Sequence, residues 1–179
     1  DNLIAMQGPG LVADIGATNT RLALAEPGGA VTRVRVCATD SAPDLADIIE
    51  GYLADEAGGT RPAAAVLAIA APVTGDEITL TNFPWTFSVE GLRQRLKLEQ
   101  LRVINDFVAN AYSLPHLGAD ERMQIGGGTP APRKLSAASM MMASAKTKVA
   151  CTISEDRVLG AMCNQMMRVS DAPSALVAS

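Results

Sequence analysis

The sequence predicts an α/β domain built on a mixed sheet with helices on its faces, followed by a segment of different character. Three observations predict it. The order of periodic segments over residues 10–127 reads βββαβ(β)αβα. Residues 64–70 are small and continuously apolar, as expected of a strand covered on both faces. Leu45, Ile48, Ile49, Tyr52 and Leu53 recur at i, i+3, i+4, i+7 and i+8, the signature of a helix with one apolar face.

Each element has a local reason. Residues 11–14 form a short apolar run that ends in a turn containing Gly16. Residues 21–26 follow, with Leu22 and Leu24 on one side. Residues 31–37 alternate Val31, Arg33 and Arg35 against Thr32, Val34 and Val36, a half-exposed strand. Turns at 17–20 and 27–30 join the three into an antiparallel meander. A helix is expected from about residue 43, with Ser41 as cap, Asp44 and Asp47 at its positive end, and Gly58-Gly59 closing it. Residues 77–80 read as a short strand. Ser88 caps a second helix carrying Val89, Leu92 and Leu96. Residues 101–104 form the next buried strand and 107–114 the third helix.

The composition bounds the function. The chain has 179 residues, 48% hydrophobic and 19% charged, with a net charge of −4. That is ample for a core and offers no basic footprint for nucleic acid or anionic membrane. The apolar stretch 63–73 is too short to span a bilayer, and the N-terminus has no basic region of a secretory signal. Cys37, Cys151 and Cys163 are odd in number and lack metal-site spacing. A reducing, cytoplasmic location is expected.

Composition changes near Pro132. All six aromatics lie at or before Tyr112, whereas residues 133–179 hold six of the eight methionines and one of the fifteen glycines. That stretch has six basic and three acidic residues, against nine and sixteen before it. Two regions are therefore expected, 1–130 and 131–179. The second buries little by itself and docks poorly or borrows a partner, although a helix over 154–167 fits the pattern. The run Met140-Met141-Met142 reads as filler.

Three segments can carry chemistry. In Ala13-Asp14-Ile15-Gly16-Ala17-Thr18-Asn19-Thr20-Arg21, a strand delivers a carboxylate and a turn of small and hydroxyl residues follows. Gly16 permits close approach to the backbone, and the turn's N–H groups make a concavity for phosphate oxygens. Asp14 suits such a place if Mg²⁺ or its waters lie between carboxylate and phosphate. An ordinary hairpin with Asp and Asn as turn formers is the plainer reading. In Ile104-Asn105-Asp106-Phe107, a carboxylate at a strand end can take a proton from a hydroxyl while the neighbouring amide holds that hydroxyl. A simple helix cap is the plainer reading here. In Leu80-Thr81-Asn82-Phe83-Pro84-Trp85, an amide beside aromatics suits a polyol, or Trp85 packs on the core. His116, the one histidine, makes no triad and reads as structural.

Taken together and in order, Leu11-Val-Ala-Asp-Ile-Gly-Ala-Thr-Asn-Thr-Arg-Leu-Ala-Leu24, Thr79-Leu-Thr-Asn-Phe-Pro-Trp85 and Val103-Ile-Asn-Asp-Phe-Val-Ala-Asn110 resemble bacterial glucokinase, of the hexokinase/actin-like ATPase superfamily. Ile69-Ala-Ala-Pro-Val-Thr-Gly75 and Ile125-Gly-Gly-Gly-Thr-Pro130 look similar too, so the resemblance covers about residues 10–130. It favours glucokinase over the ROK sugar kinases, since no Cys-rich zinc motif is present. It implies a ribonuclease H-like small domain and ATP-dependent phosphorylation of D-glucose. Ala13, Asp14, Ile15, Gly16, Ala17, Thr18 and Asn19 would bind ATP phosphates, with Asp14 facing Mg²⁺. Asn105 and Asn82 would bind the sugar, and Asp106 would contact it as the base. Asp14 and Asp106 should open onto one cleft edge. The partner implied is glucose, not nucleic acid or membrane, and a homo-oligomer is compatible with it.

The departure from the family comes after Pro130. There the family continues into a second phosphate turn of the type Gly-x-Gly-Thr-Gly-Leu-Gly, a Gly-Glu-Gly-Gly-His sugar segment and a large C-terminal domain. Gly160 is the one glycine after Gly128. A frameshift or truncation near Pro132 is the simplest account, and a rearranged chain is the other. Functions of three classes stay open: a glucokinase with little turnover as this chain, a non-catalytic small domain, and an unrelated phosphatase using Asp14 as nucleophile.

Overall fold

A computed structural model of the chain describes residues 8–27, 29–56, 58 and 61–113. The expectations for His116, the segment 125–130, the methionine run and the whole of 131–179 lie outside the described residues.

Three consecutive strands open the fold: β1 (Gly10–Ile15), β2 (Asn19–Ala25) and β3 (Val31–Ala38) form an antiparallel meander. A 3-10 turn (Thr39–Ser41) leads to α1 (Leu45–Asp55). Then come β4 (Ala64–Ile69), a hairpin of β5 (Glu77–Thr79) and β6 (Thr86–Ser88), α2 (Val89–Arg95), β7 (Gln100–Asn105) and α3 (Asp106–Ser113). The main sheet has the order β3-β2-β1-β4-β7, with β1, β4 and β7 parallel. The fold class is therefore the expected mixed α/β sheet.

The periodic residues of α1 settle its packing. Leu45, Ile48, Ile49, Tyr52 and Leu53 are all buried, against Leu11, Ile15, Leu22 and Leu67 of the sheet. Each such side chain contributes about 1.5–3 kcal/mol of transfer free energy. α2 adds Leu92 and Leu96, and the hairpin adds Ile78, Leu80 and Trp85 to the same core. The opposite face holds a smaller cluster: Val12, Ala23, Ala25, Val66, Ala68 and Ile104, with Ala109 of α3 against it.

Three local expectations are corrected. Asp44, not Ser41, caps α1: its Oδ1 accepts from the Asp47 N–H at 2.8 Å. Ala42 precedes Pro43 and is extended (ψ 161°), so the helix cannot start before the proline. One short strand is expected between residue 70 and the Ser88 cap, and there are two, because residues 86–88 pair with 77–79. β3 does not alternate cleanly. Its register against β2 shifts between Leu22 and Leu24, and Arg33 sits at φ 52°, a bulge. The bulge leaves Val34 and Val36 about half exposed and turns Arg35 toward Asp55, 2.9 Å away. The Ser88 cap is as expected, its Oγ accepting from the Gly91 N–H at 2.9 Å.

Candidate active site

Parallel strands β1, β4 and β7 end on one edge of the sheet, the side where α/β sheets bind ligands. Asp14 pairs in register with Ala68 of β4, and Ala68 with Ile104 of β7. Asp106 follows two residues after Ile104, as the first residue of α3. The two carboxylates thus share an edge, one strand apart.

Asp14 is partly buried and lies 3.5 Å from the Arg21 guanidinium. Arg21 is its cross-strand neighbour in the meander, so the pairing register of β1 and β2 creates the ion pair. Ala13 and Ile15 point the other way and are fully buried. They build the core beneath the turn, and any contact they offer a ligand is through backbone.

The turn itself is tightly closed. The Gly16 N–H donates to the Asn19 carbonyl at 3.0 Å, and a Cβ at Gly16 would meet that same oxygen at 3.0 Å. A larger residue would have to push the turn open. Thr18 and Asn19 are exposed and Ala17 is partly so. Thr39, buried behind the turn, donates its backbone N–H to the Thr18 carbonyl at 2.9 Å and its hydroxyl to the Gly16 carbonyl at 2.8 Å.

At the other strand end, the Asn105 amide ties two loops together. Its Nδ2 donates to the Ala71 carbonyl at 3.0 Å and its Oδ1 accepts from the Phe107 N–H at 3.0 Å. Asp106 Oδ1 accepts from the same N–H at 2.8 Å. The plainer cap reading of this segment therefore holds locally, since Asn105 and Asp106 both accept from the first turn of α3. Burial pushes the Asp106 carboxyl above its ordinary value, against the opposing pull of the Phe107 N–H. A raised carboxyl beside a helix start is the state of a group suited to accept a proton.

The third segment divides. Trp85 packs on the core, its Nε1 donating to the Pro43 carbonyl at 2.9 Å and its ring edge-on to Phe83 at 4.7 Å. Asn82 is exposed at the turn of the β5–β6 hairpin, on a separate two-stranded sheet. The structure therefore joins Asp14, its turn, Asn105 and Asp106 along one edge, and leaves Asn82 on another element.

Sequence reasoning gave no role to Arg21, Ala71 or Thr39. Arg21 stood inside the quoted motif and its charge opposite Asp14 was a usable signal. Thr39 and the Ala71 carbonyl carry no motif at all. Two cavities of about 220 and 250 Å³ flank α1, one against α2 and the hairpin and one against β3. Neither is lined by Asp14 or Asp106. Among the described residues no group of three His, Cys, Asp or Glu could by itself hold a metal, and no helix is long and apolar enough to cross a membrane.

Comparison with known proteins gives the family. A family model described as Glucokinase matches residues 11–159, running past residue 130. The glucokinase of Aromatoleum aromaticum is 46% identical over 121 residues, covering 67% of this chain and 37% of its own. The bifunctional protein glk of Paraburkholderia xenovorans is 44% identical over 128 residues, covering 72% of this chain and 20% of its own. The crystal structure of a glucokinase from an Antarctic psychrotroph superposes with a TM-score of 0.60 at 33% identity, covering 70% of this chain and 40% of that one. A ROK family glucokinase from Streptomyces griseus, solved with glucose and AMPPNP, shares the fold at 23% identity and a TM-score of 0.52. The chain thus spans well under half the length of these relatives.

Proposed function

Because the chain belongs to the glucokinase family, we propose that it carries the first phosphate turn and the base of a site for ATP + D-glucose → ADP + glucose 6-phosphate, acting in the cytoplasm. The observation that carries this reading is the shared sheet edge of the Asp14 turn and Asp106, one strand apart.

In this reading Asp106 takes the proton of the sugar 6-hydroxyl as that oxygen attacks the γ-phosphorus of ATP. The new P–O bond forms as the bond to the bridging oxygen breaks, and ADP leaves with that electron pair. Burial that holds the Asp106 carboxyl up strengthens it as a base. Asn105 keeps one Oδ1 lone pair beyond its bond to Phe107, enough to accept from a sugar hydroxyl, while its Nδ2 donates to Ala71 and its amide also supports the Asp106 carboxylate. Asn82 would reach the sugar from the hairpin. Residues 13–19 would cradle phosphate through backbone, with the exposed Thr18 and Asn19 supplying side chains. Asp14 fits Mg²⁺ as a single carboxylate, since that ion is commonly held by one or two carboxylates together with substrate phosphates. When bound, the ion supplies charge neutralisation.

A second reading keeps a specific observation on its side: a non-catalytic small domain that binds phosphate or sugar weakly, or pairs with another chain. The 179 residues contain no Gly-x-Gly-Thr-Gly-Leu-Gly turn. An ATP-dependent glucose phosphorylation assay of the purified chain separates the two. Turnover that Asp106→Asn removes supports catalysis by this chain. Saturable sugar or nucleotide binding without turnover supports the second reading, and turnover indifferent to Asp106→Asn rejects the assigned base.

A further inference from the structure

Thr39 lies outside every segment that carries the family resemblance, yet it is fully buried directly behind the Gly16–Asn19 turn. Its two bonds to the turn go to carbonyls: backbone N–H to Thr18 and hydroxyl to Gly16. The hydroxyl has one proton, and the Gly16 carbonyl can only accept it. The second contact of that hydroxyl, 3.0 Å to the Thr20 hydroxyl, must therefore be a bond that Thr39 accepts. The chain of donors runs in one direction: Thr20 O–H to Thr39 Oγ1, Thr39 O–H to the Gly16 carbonyl. Thr20 is fully buried as well, so each link is costly to leave unmade.

Peptide planarity turns these pinned carbonyls into a statement about amides. In a trans peptide the C=O of one residue and the N–H of the next point in opposite directions; all peptide bonds among the described residues are trans. The Gly16 carbonyl faces Thr39, so the Ala17 N–H faces away from it. The Thr18 carbonyl faces Thr39, so the Asn19 N–H faces away from it too. One buried residue thereby fixes the direction of two N–H groups in the turn, that of Ala17 through its hydroxyl and that of Asn19 through its own backbone N–H.

We infer that Thr39 is a positioning residue for the phosphate turn, setting the Ala17 and Asn19 N–H groups toward an anion by holding the Gly16 and Thr18 carbonyls behind it. The inference rests on the phosphate-binding reading above and adds a residue to it. A turn held this way presents its donors without reorganising when phosphate arrives, the condition under which backbone dipoles stabilise charge best. Thr39 never touches the ligand.

The test follows the Ala17 and Asn19 amides of the full 179-residue chain by ¹⁵N–¹H NMR, with MgATP as probe. Thr39→Val removes the hydroxyl at nearly constant shape, and Thr39→Ser keeps it. The expected result is a loss of about fivefold to tenfold in MgATP affinity for Thr39→Val, the size of one hydrogen-bond contribution. Thr39→Ser should stay within about twofold of the parent. Backbone order parameters at residues 17–19, measured without ligand, should fall in the Val variant and hold in the Ser variant. If Thr39→Val does not fold, Thr20→Val/Thr39→Val removes the buried hydroxyl pair together and carries the same prediction. A merely structural Thr39 would lower the melting temperature of the Val variant and leave MgATP affinity unchanged, which overturns the inference. A parent chain whose Ala17 and Asn19 signals ignore MgATP overturns the phosphate reading itself, and the inference falls with it.

Discussion

Asp14 and Asp106 end neighbouring levels of the same sheet edge with only β4 between their strands. Two strand spacings amount to about 10 Å. In the proposed reading that leaves room for a phosphate and its metal on one side and a sugar hydroxyl on the other, as in-line phosphoryl transfer would require.

The first prediction concerns turnover. The purified chain should turn over glucose far more slowly than the roughly 1–100 per second of ordinary kinases, because its 179 residues lack the Gly-x-Gly-Thr-Gly-Leu-Gly turn that would help orient the phosphates. Asp106→Asn should lower whatever rate remains by about 10²–10⁴-fold. A coupled ADP-release assay checks both. Ordinary kinase rates would show that the region after residue 130 completes the site.

The second prediction is about pH. Burial raises the Asp106 carboxyl above its ordinary value in the folded state. A raised carboxyl contributes stability below its unfolded pKa, and that contribution is lost as pH rises through the folded value. At neutral pH the charged group therefore opposes folding. Asp106→Asn should raise the melting temperature at pH 7 relative to the parent, and the advantage should vanish near pH 3. A thermal melt series in that window reads it, and an unchanged or lowered melting temperature at pH 7 would contradict it.

The third prediction is Asp44→Ala. Asp44 caps α1 and also meets Arg95 at 2.8 Å. Burial works against its charge, but the Asp47 N–H and Arg95 outweigh it and hold the carboxyl below the ordinary value. Loss of the cap should cost about 1 kcal/mol at pH 7. The sign is opposite to that of Asp106. This contribution is present above the ordinary carboxylate pKa and disappears as pH falls through the lowered one. Urea unfolding of parent and variant at pH 7 and at pH 2.5 should show the gap closing.

The fourth prediction is Tyr52→Phe. The buried Tyr52 hydroxyl donates to the Arg33 carbonyl at 2.9 Å, at the bulge of β3. Its loss should cost about 1 kcal/mol. Burial pushes the Tyr52 phenol up to about 12. Stability from that shift is complete below the unfolded value near 10 and is lost as pH rises through about 12. The parent should lose stability between those limits more steeply than the Phe variant in alkaline denaturation, and parallel curves would refute the assignment.

The sequence by itself determined every element whose burial repeats along the chain. The five apolar positions of α1 are all buried, and the runs around 64–70 and 101–104 became the adjacent parallel strands β4 and β7. It also nominated the candidate site, since Asp14, Gly16, Asn105 and Asp106 are named by local motifs that need no partner to be read. Tertiary structure decided what depends on two distant segments meeting. Whether Ser41 or Asp44 caps α1 turned on the backbone around Pro43. Whether residues 86–88 are a strand turned on their pairing with 77–79. Trp85 was claimed by the core because the Pro43 carbonyl lies within reach of its N–H. Thr39 was invisible because a single threonine carries no periodicity. Only the meander's register brings its hydroxyl to Gly16, and hydrogen bonds between remote residues leave no pattern along a chain.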